Sequence, residues 1–191
     1  MKVKSIIAGA AVALLTSCGN MNNPLLTESS APFGAPQFDK IKTEHYLPAF
    51  EEAIAQAKAE IDAIVSNTEP PTFENTIEAM EYSGRTLNNV AGIFYNLMEA
   101  HTNDQMQAIA EEIAPKMTEF SMYVSLNQDL FKRVKAVYEK KDELGLAPDQ
   151  MKLLEDNYKG FVRGGANLSD QDKDLYSKWP EELSLATLAF G

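Results

Sequence analysis

The sequence has few of the side chains that build disulfides or metal sites. Its 191 residues include one cysteine, Cys18, and two histidines, His45 and His101. One cysteine excludes a disulfide within the chain. The H-E-x-x-H motif of zinc peptidases, which places two histidines on one helix face, is absent. We interpret His45 and His101 as surface or capping imidazoles, and they argue against a metal- or cofactor-carrying bundle.

Basic residues are also scarce. The chain has 17 lysines and arginines against 28 aspartates and glutamates, which gives a formal net charge of −11. Nucleic-acid affinity comes mainly from lysine and arginine neutralising phosphates, so this balance argues against a nucleic-acid partner. The same charge disfavours docking on anionic lipid head groups. We therefore expect any membrane attachment to come from a covalent anchor.

The most apolar run of the chain is too short to span a membrane. It extends from Ile6 to Leu15 and follows a basic start with Lys2 and Lys4, a layout typical of a secretory signal peptide. It ends in Leu15-Thr16-Ser17-Cys18, which resembles the lipobox of bacterial lipoproteins. The resemblance implies cleavage after residue 17 and lipidation of Cys18. The alternative is an ordinary secretory signal in which the cysteine is incidental.

A lipobox implies an exported, membrane-anchored lipoprotein of a bacterial cell envelope, on the periplasmic or outer-membrane side. Two or more acyl chains anchor a protein stably, because each buried methylene contributes about 0.8 kcal/mol. Residues 18–43, which are rich in proline, serine and asparagine, are expected to form a non-helical tether and lead-in. Phe33 and Phe38 are expected to pack its later part against the body of the protein.

From residue 44 onward, apolar residues recur at helical spacing. The first stripe is Leu47, Phe50, Ile54, Ala57, Ile61 and Ile64, and Thr43 is expected to cap its helix. The pattern predicts five further helices. The first extends from Phe73 to His101, with Thr72 as N-cap and Gly84 inside, and the next begins at Asp104. The others extend from Gln128 to Leu144, with a stop at Gly145, from Pro148 to Gly164-Gly165, carrying Leu153, Leu154, Tyr158 and Val162, and onward from a cap at Ser169.

No segment shows the period-two alternation of a half-buried strand. The sequence therefore predicts an all-α fold of long antiparallel helices. We divide the chain into a signal peptide at 1–17, a tether and lead-in at 18–43, and an all-helical region at 44–191.

The residues themselves indicate no catalytic or metal-binding site. Adjacent glutamates occur at 51–52, 111–112 and 181–182, but neighbours on a helix point about 100° apart, so we interpret them as solvated faces. Gly164-Gly165 beside Arg163 lacks the spacing of a phosphate loop and is better explained as a helix stop. The one site residue that we predict is Cys18, the lipidation site.

Several short motifs occur in an order that resembles a known family. They are Phe38 to Phe50, Pro71 to Ala79 followed by Ser83-Gly84, Phe161 to Leu168, and Glu182-Leu183-Ser184. Together they resemble the thimet-oligopeptidase-like zinc metallopeptidases and, more narrowly, the bacterial peptidyl-dipeptidases (dipeptidyl carboxypeptidases) and oligopeptidase A. The resemblance covers roughly residues 36–191, although Pro180 interrupts a stretch that the family keeps helical.

The resemblance implies a long, all-helical enzyme whose two lobes enclose a channel for short, unstructured peptides. One zinc ion, held by H-E-x-x-H and a downstream glutamate, would cleave the peptide bond, and peptidyl-dipeptidases release dipeptides from the carboxyl end. The zinc helix of the family lies downstream of Gly191, so no family catalytic residue maps onto this chain. We expect the chain to be an amino-terminal fragment of one lobe, inactive alone. The alternative is a non-enzymatic, lipid-anchored helical binding module.

Overall fold

A computed structural model describes residues 23–166 and the single positions 168, 172, 179, 183, 186 and 187. The signal peptide, Cys18 and most of the expected sixth helix lie outside the described residues. Six α-helices are present within them: α1 Tyr46–Ser66, α2 Ala79–Tyr82, α3 Arg85–His101, α4 Asp104–Ser125, α5 Gln128–Tyr138 and α6 Pro148–Arg163. A π-helical turn, Phe73–Glu78, precedes α2, and a 3₁₀ turn, Thr43–His45, precedes α1. Because the described residues contain no strand, the all-α prediction is confirmed.

The described residues form two apolar clusters that share α1. The first cluster joins Leu25 of the lead-in to the first part of α1, to α3 and to the start of α4. The second joins the end of α1 to the π-helical turn, α5 and α6. The stripe predicted for α1 is confirmed, since Phe50, Ala57 and Ile61 are all buried. α1 therefore carries apolar side chains that hold both halves of the domain.

Residue pairs across the helices give their directions. Phe50 at the start of α1 contacts Phe94 late in α3, whereas Glu60 late in α1 bonds to Gly84 just before α3, so α1 and α3 are antiparallel. α4 runs parallel to α1. Three successive contacts advance along both helices, which are Glu51–Lys116, Lys58–Glu119 and Asp62–Tyr123. α5 and α6 are antiparallel, because Phe131 contacts Phe161 while Tyr138 contacts Tyr158.

Helix starts set by local capping residues match the prediction. The Thr72 hydroxyl accepts a hydrogen bond from the Asn75 amide at 3.1 Å, Asn103 caps α4, and Pro148 opens α6. The prediction for Thr43 is wrong, because its side chain makes no cap. Instead, Nδ1 of His45 accepts a hydrogen bond from the Lys42 amide at 3.1 Å.

The expected continuous helix from Phe73 to His101 is wrong. The backbone breaks at Ser83 and Gly84, where Gly84 has a φ of 69°. A glycine adopts this left-handed conformation without the steric cost that a Cβ brings. The amide of Gly84 donates to Oε2 of Glu60 at 2.6 Å, so a side chain of α1 stabilises the break.

Three further expectations need correction. α5 ends at Tyr138, and a separate 3₁₀ turn, Lys141–Glu143, follows before Gly145. In α6 the buried aromatic residue is Phe161, while Val162 remains 39% exposed. Phe33 is fully exposed and Phe38 is 55% exposed, so neither residue packs the lead-in against the body.

Candidate functional site

The two histidines do not form a metal centre in the described structure. His45 is half-buried before α1, and its Nδ1 accepts the Lys42 amide. His101 is exposed at the last residue of α3. No three histidine, cysteine, aspartate or glutamate side chains come together among the described residues. The donor set found there therefore does not fit the zinc ion that the family resemblance implies for the intact enzyme.

Two of the adjacent glutamates that the structure describes pair with a lysine rather than with another acid. Glu51 of α1 and Glu112 of α4 both accept hydrogen bonds from the Lys116 ammonium. The bond to Glu51 is the main reason that the pKa of Lys116 is raised. Such exposed pairs contribute little to stability, and only the pair with Glu51 joins α4 to α1. Glu181 and Glu182 lie outside the described residues.

A buried arginine, which we did not predict, anchors the connection between α1 and the π-helical turn. Arg133 of α5 is only 8% exposed. One of its terminal nitrogens donates to the carbonyl oxygens of Asn67 and Glu69, at 2.8 and 3.3 Å. The other donates to Oδ1 of Asn75 at 3.1 Å. The guanidinium thus ties α5 to the segment Pro71 to Ala79, one of the motifs that resemble the family.

An aromatic cluster lies between α1 and α3. The fully buried ring of Phe94 contacts Tyr46, Phe50 and Tyr95 edge to face, with ring centroids 5.0 to 5.5 Å apart. Tyr95 remains 38% exposed. Burial raises the pKa of both Tyr46 and Tyr95. These phenols therefore stay protonated at neutral pH, and they act as packing groups rather than as bases.

The lead-in lines a groove on the surface of the described structure. Asn23 is buried, and its Nδ2 donates to the His45 carbonyl oxygen at 2.8 Å. Leu25 inserts into the first apolar cluster. The chain then loops outward and encloses, with Asn89 and Ile93 of α3, a groove of about 860 Å³. The groove has polar and apolar walls, but it brings together no set of metal donors.

Gly164 and Gly165 end α6, as we predicted. Gly165 has a φ of 89°, and a Cβ on Gly164 would lie 3.3 Å from Cβ of Ser125. The glycines therefore permit close packing against α4. Within the described range, the clusters above hold helices together and present no reacting group. None of the described helices is both long and apolar enough to cross a membrane.

The chain is similar in sequence to known peptidases. Residues 50–173 match the family model of the neurolysin/thimet oligopeptidase N-terminal domain. The chain is 42% identical to dipeptidyl carboxypeptidase of Escherichia coli K12 over 168 residues, which cover 88% of this chain and 25% of the relative. It is 41% identical to dipeptidyl carboxypeptidase of Salmonella typhimurium over 151 residues, 79% of this chain and 22% of the relative.

A more distant likeness connects the chain to oligopeptidase A of Salmonella typhimurium. The two are 24% identical over 164 residues, which cover 86% of this chain and 24% of the relative. The chain thus spans about a quarter of the length of the curated relatives that it matches.

Proposed function

Since the chain belongs to the neurolysin/thimet oligopeptidase family, we propose that it forms the amino-terminal helical part of a zinc-dependent metallopeptidase. That enzyme would hydrolyse short peptides and release dipeptides from their carboxyl ends. The observation that carries the proposal is the 42% identity to a dipeptidyl carboxypeptidase across 88% of the chain. The identity to oligopeptidase A is lower, at 24%. The higher identity to dipeptidyl carboxypeptidase therefore favours the dipeptide-releasing activity.

In this proposal the described helices supply a wall of the enzyme, and the zinc site comes from sequence outside this chain. Two features support the assignment. The sequence lacks an H-E-x-x-H motif, and the polar clusters of the described helices bind one another rather than converge on a cleft. The 191-residue chain alone is then inactive towards peptides.

The size of the native polypeptide tests this proposal. Membranes of the source cell are probed by immunoblot with an antibody against residues 44–166. The proposal predicts a band much larger than 21.1 kDa. A band slightly below 21.1 kDa would instead favour the alternative function, a lipid-anchored helical binding module without peptidase activity.

An activity assay tests the chemistry. The immunoprecipitated polypeptide is incubated with an amino-terminally blocked oligopeptide, and the products are identified by mass spectrometry. We expect successive carboxyl-terminal dipeptides, loss of activity with a zinc chelator, and recovery when zinc is added. The purified 191-residue chain serves as the matched control and should leave the peptide intact. Cleavage by that control, or release of single amino acids by the native polypeptide, would contradict the proposal.

We further propose that Cys18 is lipidated and anchors the mature chain to a membrane of the cell envelope. The support is the sequence Leu15-Thr16-Ser17-Cys18 at the end of an apolar run. Cells fed radiolabelled palmitate should label the wild-type chain but not the Cys18→Ser variant, which should also leave the membrane fraction. Equal labelling of both would contradict lipidation at Cys18.

A further inference from the structure

The tether between Cys18 and the folded body is short. The lead-in packs from Asn23 onward, since Asn23 and Leu25 are both buried. Only residues 19–22 lie between Cys18 and Asn23. A fully extended chain gains at most about 3.6 Å per residue, so Cys18 reaches no further than about 18 Å from Asn23. An acylated Cys18 would therefore hold this end of the domain close to the bilayer.

The loop that begins at this end carries exposed aromatic side chains. Phe33 is fully exposed at its tip, and Phe38 is 55% exposed. Hydrogen bonds close the loop behind Phe33, from the Ser29 hydroxyl to the Ala35 carbonyl oxygen at 2.5 Å and from the Gly34 amide to the Ala31 carbonyl oxygen at 3.1 Å. An exposed phenylalanine on a closed loop has no folding benefit to offset its contact with water.

The backbone of Phe33 adds an independent observation. Its φ of 61° makes it the one non-glycine residue in the left-handed region among the described residues. A side chain with a Cβ is disfavoured there, and such strain is concentrated at sites where a protein contacts a ligand or partner. The ring of Phe33 is fully exposed, and it is not among the side chains that line the groove.

The local charge also suits a lipid surface. The chain as a whole is strongly acidic, but residues 23–42 contain two acids, Glu28 and Asp39, and two bases, Lys40 and Lys42. This segment is therefore neutral, and it avoids the repulsion that the rest of the chain would meet at anionic head groups.

We propose that the loop Ala31–Phe38 inserts Phe33 and Phe38 into the interfacial layer of the bilayer to which Cys18 is anchored. This inference rests on the proposed lipid anchor and goes beyond it, because it adds a protein contact that orients the domain. Aromatic side chains gain free energy when they move from water into the boundary between head groups and acyl chains. The short tether makes this contact effectively intramolecular.

The test attaches the lipid chemically, so that it does not depend on acylation in the cell. Cys18 is the one thiol of the chain, and residues 18–191 are coupled through it to a maleimide phospholipid in phosphatidylcholine vesicles. Trp179 is the one tryptophan, and Trp179→Phe leaves a background in which Phe33→Trp reports on the loop. Its emission should shift to shorter wavelength and fall at least about twofold when the lipids carry brominated acyl chains.

Tyr82 supplies the matched control. It is 62% exposed and lies next to the break at Gly84. The Gly84 amide bonds to Glu60, and Glu60 lies about 20 Å along α1 from the start of that helix. Tyr82→Trp in the same background should show neither the shift nor the quenching. Quenching of both reporters, or of neither, would overturn the proposal, and the former would mean that the whole chain lies on the membrane.

A second measurement uses a single myristoyl-maleimide at Cys18, because one acyl chain binds membranes only marginally and reversibly. The variant Phe33→Ser should then partition onto phosphatidylcholine vesicles about tenfold more weakly, which corresponds to about 1.4 kcal/mol. Tyr82→Ser should partition as wild type, and an unchanged Phe33→Ser variant would contradict insertion. Palmitate labelling of cells decides the anchor separately, so the two proposals can fail independently.

Discussion

Replacing Arg133 with alanine should destabilise the domain and loosen one particular segment. The guanidinium donates to the carbonyl oxygens of Asn67 and Glu69 and to Oδ1 of Asn75. In Arg133→Ala these three bonds disappear together, and so does the burial of the aliphatic stem.

The lost contacts of Arg133 determine how far the stability should fall. A hydrogen bond contributes about 0.5 to 1.5 kcal/mol net, and the lower half of that range applies because the three acceptors can regain water. Three such bonds amount to about 2 kcal/mol, and the lost stem adds about 1 kcal/mol. We therefore expect the free energy of unfolding to fall by about 3 kcal/mol. Removing the buried guanidinium also removes its desolvation cost, which acts to reduce this loss.

Urea unfolding followed by circular dichroism measures this loss. Lys132→Ala is the matched control, because Lys132 is the neighbouring residue on α5 and pairs with Asp129 in an exposed salt bridge. That variant should stay within about 0.5 kcal/mol of wild type. Hydrogen exchange supplies the local readout, and amides of residues 72–77 should lose protection in Arg133→Ala more than those of α3.

Two results would refute the reasoning. If Arg133→Ala lowers stability by less than about 1 kcal/mol, the desolvation cost of the buried charge offsets its hydrogen bonds almost completely. If stability falls but protection is lost evenly over the domain, Arg133 acts as a general packing residue and does not hold the connection in place.

Three further predictions follow from the core, the helix break and the exposed charges. Phe94→Ala removes a fully buried ring with three aromatic neighbours and should cost about 3 to 5 kcal/mol in urea unfolding, whereas a loss under 1 kcal/mol would show that the cluster refills the space. Gly84→Ala, at a positive φ, should lower stability by about 1 to 2 kcal/mol. Gly92→Ala lies in the interior of α3, where an added Cβ meets nothing within 4 Å, and it should raise stability by about 0.5 to 1 kcal/mol. Thermal melts that order the two variants the other way would contradict the assigned backbone. Hydrogen bonds from Lys159 and Lys141 lower the pKa of Glu155. Its ion pairs therefore stabilise the fold above the pKa of an unfolded glutamate, and this stabilisation is lost as pH falls through the lower pKa of the folded state. Glu155→Gln should be less stable than wild type at neutral pH and equal to it in acid, and a constant difference across the pH range would exclude the mechanism.

Sequence patterns predicted those helix starts that depend on neighbouring residues. The capping interactions of Thr72 and Asn103 lie within three residues of each helix start, and Pro148 has its φ already fixed for a first turn. The break at Gly84 could not be predicted in the same way. The apolar spacing continues through it, and the carboxylate that stabilises it belongs to Glu60, which lies 24 positions earlier in the chain.

The lead-in shows a second limit of sequence interpretation. Phe33 and Phe38 are the largest apolar side chains there, so a prediction from hydrophobicity assigns them to the core. The structure places Leu25 in the core instead, because the Asn23 side chain holds the chain against the start of α1. No periodicity exists in a loop to show which apolar residues face inward, and tertiary contacts decide between them.

The motif from Pro71 to Ala79, one of those that carry the family resemblance, has a structural explanation in this chain. Oδ1 of Asn75 accepts hydrogen bonds from the Thr72 amide, the Thr76 hydroxyl and the Arg133 guanidinium, and its Nδ2 donates to the Pro70 carbonyl oxygen. This set of partners requires an amide, since an aspartate could not donate to Pro70 and a leucine could do neither. In this chain the motif thus specifies how the connection after α1 folds onto α5, and its polar side chains bind one another rather than a substrate.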